Sequence, residues 1–170
     1  MDGIPIPILR SSRLVLRRLC AEDHPHLLAM ANDAEVRRFA TNPPPSAAEV
    51  WRRTAFALGQ WGLRGYGMMA VEDQDGFVGR LGFSHPYNLP EPLLGYMLCR
   101  RGRGKGYATE AVTVIRDWMF HTHKPQRLLS HIAPDNVASA RVASKLGAIR
   151  IGTTVQQGTV MDVWCYYAPD

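Results

Sequence analysis

Apolar positions along the chain alternate between two spacings, and the changes of spacing mark an ordered series of strands and helices. Residues 13–19, RLVLRRL, are β-rich and half alternating, which predicts a strand. The segment AEDHPHLLAMAND after it predicts a helix, with Asp23 as cap and Pro25 in the first turn. Three prolines at 43–45 stop regular structure. Ser46 and Glu49 then stand in capping-box spacing ahead of Val50, Ala57, Leu58 and Trp61, predicting a second helix.

GMMAVED, a DQDG turn and FVGRLGFS read as a hairpin, and LLGYMLC supplies another apolar strand after a proline-bearing loop. These three consecutive strands are expected to pair antiparallel. From Ala108, the residues Ala111, Val112, Ile115 and Met119 fall at helical spacing and form a stripe able to cover one face of a sheet. RLLSHIA predicts a strand, and NVASARVASKLG a short helix closed by Gly147. AIRIGTTV and MDVWCYYA predict the last two strands. The order is β α α β β β α β α β β, and the triple proline reads as a loop boundary within a single domain, 1–170.

Composition leaves this picture intact and narrows the function classes. A chain of 170 residues, 46% hydrophobic and 21% charged, can bury a real core. Its net charge is +5 and its pI about 9.4. Much of the excess lies at 100–105, a patch the size of one site, without the interleaved aromatics a nucleic-acid surface uses for base stacking. Nucleic acid is therefore not the expected partner. Cys20, Cys99 and Cys165 show neither disulfide nor zinc spacing, which fits a reducing cytoplasm, and no metal is expected. An acid and two prolines near the amino terminus argue against a signal peptide, and no apolar run reaches membrane-spanning length. The expectation is an unexported, cytoplasmic protein that does not enter membranes.

The chemistry concentrates in RRGRGKGYATEAV, 100–112, where four cations and three glycines run directly into good helix sequence. A glycine-rich turn into a helix presents successive backbone N–H groups to an anion, and the helix dipole adds to the attraction. Gly106 follows Lys105 where a Walker A loop needs Ser or Thr, and Gly102, Gly104 and Gly106 give G-x-G-x-G where a dinucleotide fingerprint needs G-x-G-x-x-G. Both nucleotide loops are excluded.

Residues Arg103, Gly104, Lys105, Gly106, Tyr107 and Ala108 do match the Q/R-x-x-G-x-G/A loop of the GNAT acetyltransferases. The chain resembles the RimJ/RimL-like branch of that family, with LLGYML preceding the loop and PDNVASARVASKLGA resembling the family's second signature. The resemblance spans about 13–167. It implies fold class α/β (α+β): the GNAT fold, a mixed, mostly antiparallel central sheet of about seven strands, splayed in the middle, with helices on both faces.

It also implies acetyl-CoA as cosubstrate, with its pyrophosphate on the amides of Gly104, Lys105, Gly106, Tyr107, Ala108 and Thr109 and with Arg103 against the loop or phosphate. Met97, Leu98 and Cys99 would border the pantetheine arm, one of their amides polarising the thioester carbonyl, and Asn136 would meet the same arm. His131 is the candidate base for the attacking amine and Ser139 the hydroxyl nearest the departing sulfur. Two positions depart from the family. Ala143 stands where many members carry a tyrosine acid, and Leu93 where relatives carry a strand acid, with Glu91 two residues earlier. Glu110 reads as a first-turn acid complementing the helix dipole.

The function expected is transfer of an acetyl group from acetyl-CoA to a primary amine, either a protein amino terminus or a small molecule, by direct attack in a ternary complex. The alternative is a noncatalytic acyl-CoA-binding or sensing module. His85, Tyr87 and Trp51 are further acceptor-site candidates. The oligomeric state, a homodimer included, stays open.

Overall fold

The structure, a computed structural model, describes residues 3–40 and 42–168. Eight strands form one sheet in the order β1-β2-β3-β4-β5-β6-β8-β7. They are β1 (Leu9–Arg10), β2 (Val15–Arg17), β3 (Met68–Asp73), β4 (Gly76–Ser84), β5 (Leu93–Leu98), β6 (Leu128–Ile132), β7 (Ile149–Gln156) and β8 (Thr159–Tyr166). The helices are α1 (His24–Ala31), α2 (Ala34–Arg37), α3 (Ala47–Arg64), α4 (Tyr107–Thr122) and α5 (Val137–Lys145). Strand β1 and helix α2 exceed the predicted series because two and four residues carry too little periodicity to register.

Every neighbouring pair of strands is antiparallel except β5 and β6. That parallel pair meets only at Leu93 and Leu129. Ser130 donates to the Leu94 carbonyl at 2.8 Å, pinning the join. Beyond it the strands diverge, so the sheet is open from Tyr96 onward.

The sheet separates two cores. Ala111, Val112, Ile115 and Met119 of α4 are at most 2% exposed and pack with Leu14, Leu16, Val71, Leu81, Phe83 and Leu128. On the other face Leu27 and Met30 of α1 and Val50 and Ala57 of α3 cover Ala70 and Phe77. Gly79 makes the join of β4 to β5 possible, since a Cβ there would stand 2.4 Å from the Met97 carbonyl.

Two of the predicted caps are built differently. Ser46 accepts from the Glu49 amide, but the Glu49 carboxylate turns outward to Arg52 and Arg53. Asp23 makes no cap to α1; its carboxylate accepts a two-toothed fork from Arg17 at 2.7 and 2.9 Å and the Cys20 amide at 2.9 Å. A guanidinium outcompetes backbone amides for a buried carboxylate.

Candidate active site

The turn from β5 into α4 sets the geometry. Gly104 and Gly106 lie at φ 73° and 79°, the left-handed region glycine enters without strain. Gly106 caps α4 without a side-chain bond. The first helical bond runs from the Glu110 amide to the Gly106 carbonyl. The amides of Gly104, Lys105, Gly106, Tyr107, Ala108 and Thr109 accordingly have no acceptor among the described residues. These free donors at the positive end of a sixteen-residue helix form an anion cradle.

The cradle opens onto a cleft of about 620 Å³ that follows the divergence of β5 from β6. Met97, Leu98, Arg103, Gly104, Gly106, Tyr107, Ala108, Thr109, Asn136 and Ser139 stand on its wall, so the two separated motifs meet there. Backbone groups alternate between the edges of a strand, and the Leu94 carbonyl faces β6, so the amides of Tyr96 and Leu98 face the gap. The Cys99 amide points the other way, donating to Val78 at 2.9 Å, so Cys99 lies outside the cleft wall. Lys105 also lies off the wall, its ammonium 5.6 Å from the Tyr107 ring centroid and its carbonyl accepting from Arg13.

The cationic loop is braced more than it is free. Arg101 forks onto Asp73 at 3.0 Å and also donates to the Gly76 and Phe77 carbonyls. Arg103 donates to the Leu98 carbonyl at 3.0 Å and to Asp33 at 2.9 Å. Asp33 caps α2 by accepting the Glu35 and Val36 amides, so Arg103 ties the loop to that helix. Val36, Phe39 and Ala40 thereby become part of the cleft wall.

Asn136 caps α5, accepting the Ser139 amide at 3.1 Å. The Tyr96 hydroxyl donates to the Ser139 hydroxyl across 3.1 Å. Burial pushes the Tyr96 pKa up, with the Ser139 bond opposing and Tyr166 adding to the rise. Ala143 is wholly buried in the α4-side core and faces away from the cleft. Tyr96 was readable as a strand residue, but only the meeting of β5 with α5 shows its hydroxyl at the site. Arg141 and Lys145, one helical turn apart on α5, add cations to the cleft wall that the loop-centred reading omitted.

His131 does not line the cleft. Alternation along β6 sets it against Ser130 and Ile132, on the sheet face that also carries Met97. Its Nδ1 is buried without a hydrogen-bond partner, and burial lowers its pKa, with the Gln156 amide opposing. Glu91 is held by Arg127 at 2.8 and 3.1 Å, and Glu110 accepts from Ser11, Ser12 and Arg13. Both carboxylates are structural. Tyr87 is fully exposed, His85 bonds the Tyr66 hydroxyl and the Leu89 carbonyl, and Trp51 stands edge-on to His24; none borders the cleft.

An uncapped glycine-rich helix start thus lies beside two parting parallel strands, a row of free backbone donors next to an unpaired strand edge. Residues 13–149 match the acetyltransferase (GNAT) domain model, and the chain belongs to that family. It is similar to an acetyltransferase of Agrobacterium tumefaciens, TM-score 0.86 and 28% identity over 96% of this chain and 95% of that one. Its fold is shared with RimL, a ribosomal L7/L12 α-N-protein acetyltransferase solved with coenzyme A, at TM-score 0.80 and 21% identity over 95% and 98% of the two chains. Among curated relatives, the uncharacterized N-acetyltransferase p20 of Bacillus licheniformis is 25% identical over 93% of each chain. YjcK of Bacillus subtilis, described as a probable N-acetyltransferase, is 34% identical over 45% of this chain and 42% of its own length. Among the described residues no helix is long and apolar enough to cross a membrane.

Proposed function

We propose that the protein transfers an acetyl group from acetyl-CoA to a primary amine within a ternary complex. The observation that carries the reading is the row of unpaired amides at 104–109, set where the sheet opens. Bound acetyl-CoA would supply an activated acyl group on a good leaving thiolate.

The chain's own groups then have distinct tasks. The loop amides hold the pyrophosphate, each charged hydrogen bond contributing about 1.5–3 kcal/mol before ordering costs. The amides of Tyr96 and Leu98 receive the pantetheine arm as a missing strand would, and one of them polarises the acyl carbonyl. Asn136 orients Ser139, and Ser139 with Tyr96 behind it stands ready to give a proton to the thiolate. His131 accepts the amine's proton on the Met97 face, its lowered pKa keeping it neutral near pH 7. An α-amine, titrating near 8, asks far less of that base than a lysine near 10.4.

Calorimetric titration with coenzyme A, followed by thiol release from acetyl-CoA with an amine panel, tests the proposal. Micromolar binding and amine-dependent release are expected. Binding without release to any amine would select the sensing module, for which Ala143 and Leu93 speak. No binding at millimolar coenzyme A would remove both readings.

A further inference from the structure

Next to the cleft, and sharing Val36, Ala40 and Met97 with it, is a second cavity of about 90 Å³. Leu27, Met30 and Val50 give it apolar walls, and three arginines, Arg37, Arg53 and Arg80, line it as well. Among the described residues no carboxylate lines it.

The three arginines differ in what they hold. Arg37 donates to Asn42, and Arg53 donates to Glu49 at 2.9 Å. Arg80 has no hydrogen bond and no ion pair among the described residues. It sits in the middle of β4, between Ala70 and Met97 on the adjacent strands, on the sheet face covered by α1 and α3. Burial, with Arg53 close by as a second cause, presses its pKa below the ordinary arginine value. Half-buried in the cavity wall, this cation keeps only part of its water and has no protein anion beside it among the described residues. A ligand can supply the missing charge.

Resting on the acetyl-transfer reading, we propose that this cavity is the anion end of the acceptor site: the amine acetylated here carries a carboxylate or phosphate a few bonds from its nitrogen. The oxyanion sits on Arg80, with Arg53 and Arg37 beside it. Met97, which borders both cavities, then places the amine at the opening between β5 and β6, on the face that also holds His131. The small volume admits an oxyanion and a short linker and refuses a bulky side chain.

Two measurements test this. In the first, succinate, inorganic phosphate and the neutral succinamide are titrated into the protein saturated with coenzyme A, comparing wild type, R80Q and R80K. Saturable binding of succinate or phosphate is expected, weakened about tenfold or more in R80Q, the size of one charged hydrogen bond lost, and largely kept in R80K. Coenzyme A affinity should not change. In the second, acetyl transfer is compared between β-alanine and its amide, between phosphoethanolamine and ethanolamine, and between peptides with Asp or Asn in second place. Wild type should prefer the anionic member of at least one pair about tenfold in kcat/KM, and R80Q should erase the preference. The pair that responds identifies the source of the anion.

Anion binding indifferent to Arg80, or equal turnover of every anionic and neutral pair, would overturn the proposal. Arg80-dependent anion binding without transfer to any amine would retain the anion site and sink the transferase reading, so the two failures are distinguishable. Should R80Q not fold, R80M removes the charge at similar length; its Tm is expected at or above wild type, and a fall would make Arg80 a structural strut and overturn the assignment.

Discussion

The Tyr96 hydroxyl donates to the Ser139 hydroxyl across 3.1 Å, joining β5 to α5 over the cleft. Accepting that bond restricts the rotor of Ser139, whose amide is already held by Asn136, and leaves the serine proton available to another acceptor. Tyr96→Phe would free that rotor. A neutral hydrogen bond contributes about 0.5–1.5 kcal/mol, so kcat should fall about two- to tenfold while KM for acetyl-CoA stays near wild type. Because the two hydroxyls act in series, the double variant Tyr96→Phe with Ser139→Ala should be no slower than the worse single variant. Steady-state kinetics of the four proteins checks this, and multiplying losses would refute the relay.

Arg103 stands where the family motif begins, but its contacts are with protein. Removing it takes the side-chain donor from the Leu98 carbonyl, leaves Asp33 with only its cap to α2, and detaches α2 from the loop. The side chains of the ion pair are 30% and 26% exposed, so the pair itself contributes about 0–1 kcal/mol, and the larger effect is positional. Arg103→Ala should therefore weaken coenzyme A binding several-fold and speed amide hydrogen exchange in 34–37. Asp33→Ala should reproduce the exchange effect with a smaller loss of affinity. Calorimetry and hydrogen exchange on both variants decide.

These contacts show how far the sequence could lead. The α4 stripe, the β3–β4 turn and the Gly147 stop were legible because periodicity and glycine are local properties. The cradle was legible too, since free amides follow from glycines placed before a helix. What escaped was every feature created by distant chain segments meeting. Tyr96 lies in an ordinary apolar strand until α5 arrives, and Arg80 looks like a solvated strand residue until α1 and α3 enclose it. The four residues of α2 carry no period of their own, yet Val36 among them borders both cavities. Charge in the loop was legible only in part, since Arg101 is spent on Asp73, while Arg103, expected against the loop or phosphate, bonds the Leu98 carbonyl and reaches Asp33 as well.

Glu110 anchors the amino-terminal turn to α4. Its carboxylate accepts from the Ser11 and Ser12 hydroxyls and from Arg13 through both backbone and side chain, at 2.7 to 3.1 Å. Glu110→Ala strands those donors at a partly buried site, which should cost about 1–3 kcal/mol. For a chain of this size each kcal/mol lowers Tm by about 2–4 °C, so a drop of several degrees is expected. Glu110→Gln should recover part of it. Coenzyme A affinity should change little, because the loop amides are untouched; a collapse of affinity equal to the stability loss would show that the turn also shapes the cradle.

Stability should decline with acid in two separate stages. Burial lowers the pKa values of His131 and His85 from the ordinary 6.5, so between that value and their folded values the unfolded chain binds more protons than the native one. Stability therefore rises with pH across that window and is lost as pH falls below about 6.5. The carboxylates act lower. Burial opposes the shift of Asp23 and Glu110, but Arg17 for the first and Ser11 and Arg13 for the second hold both pKa values below the ordinary 3.8 and 4.5. Their contribution is complete above those values and disappears as pH falls through the folded ones. Urea unfolding from pH 8 to pH 3 should show a shallow decline beginning near pH 6.5 and a steeper one below about pH 4.5. His131→Asn should flatten the first stage and leave the second in place; an unchanged first stage would mean that His131 titrates as freely in the folded protein as in the unfolded chain, and its assignment as a neutral base held ready by burial would fall with it.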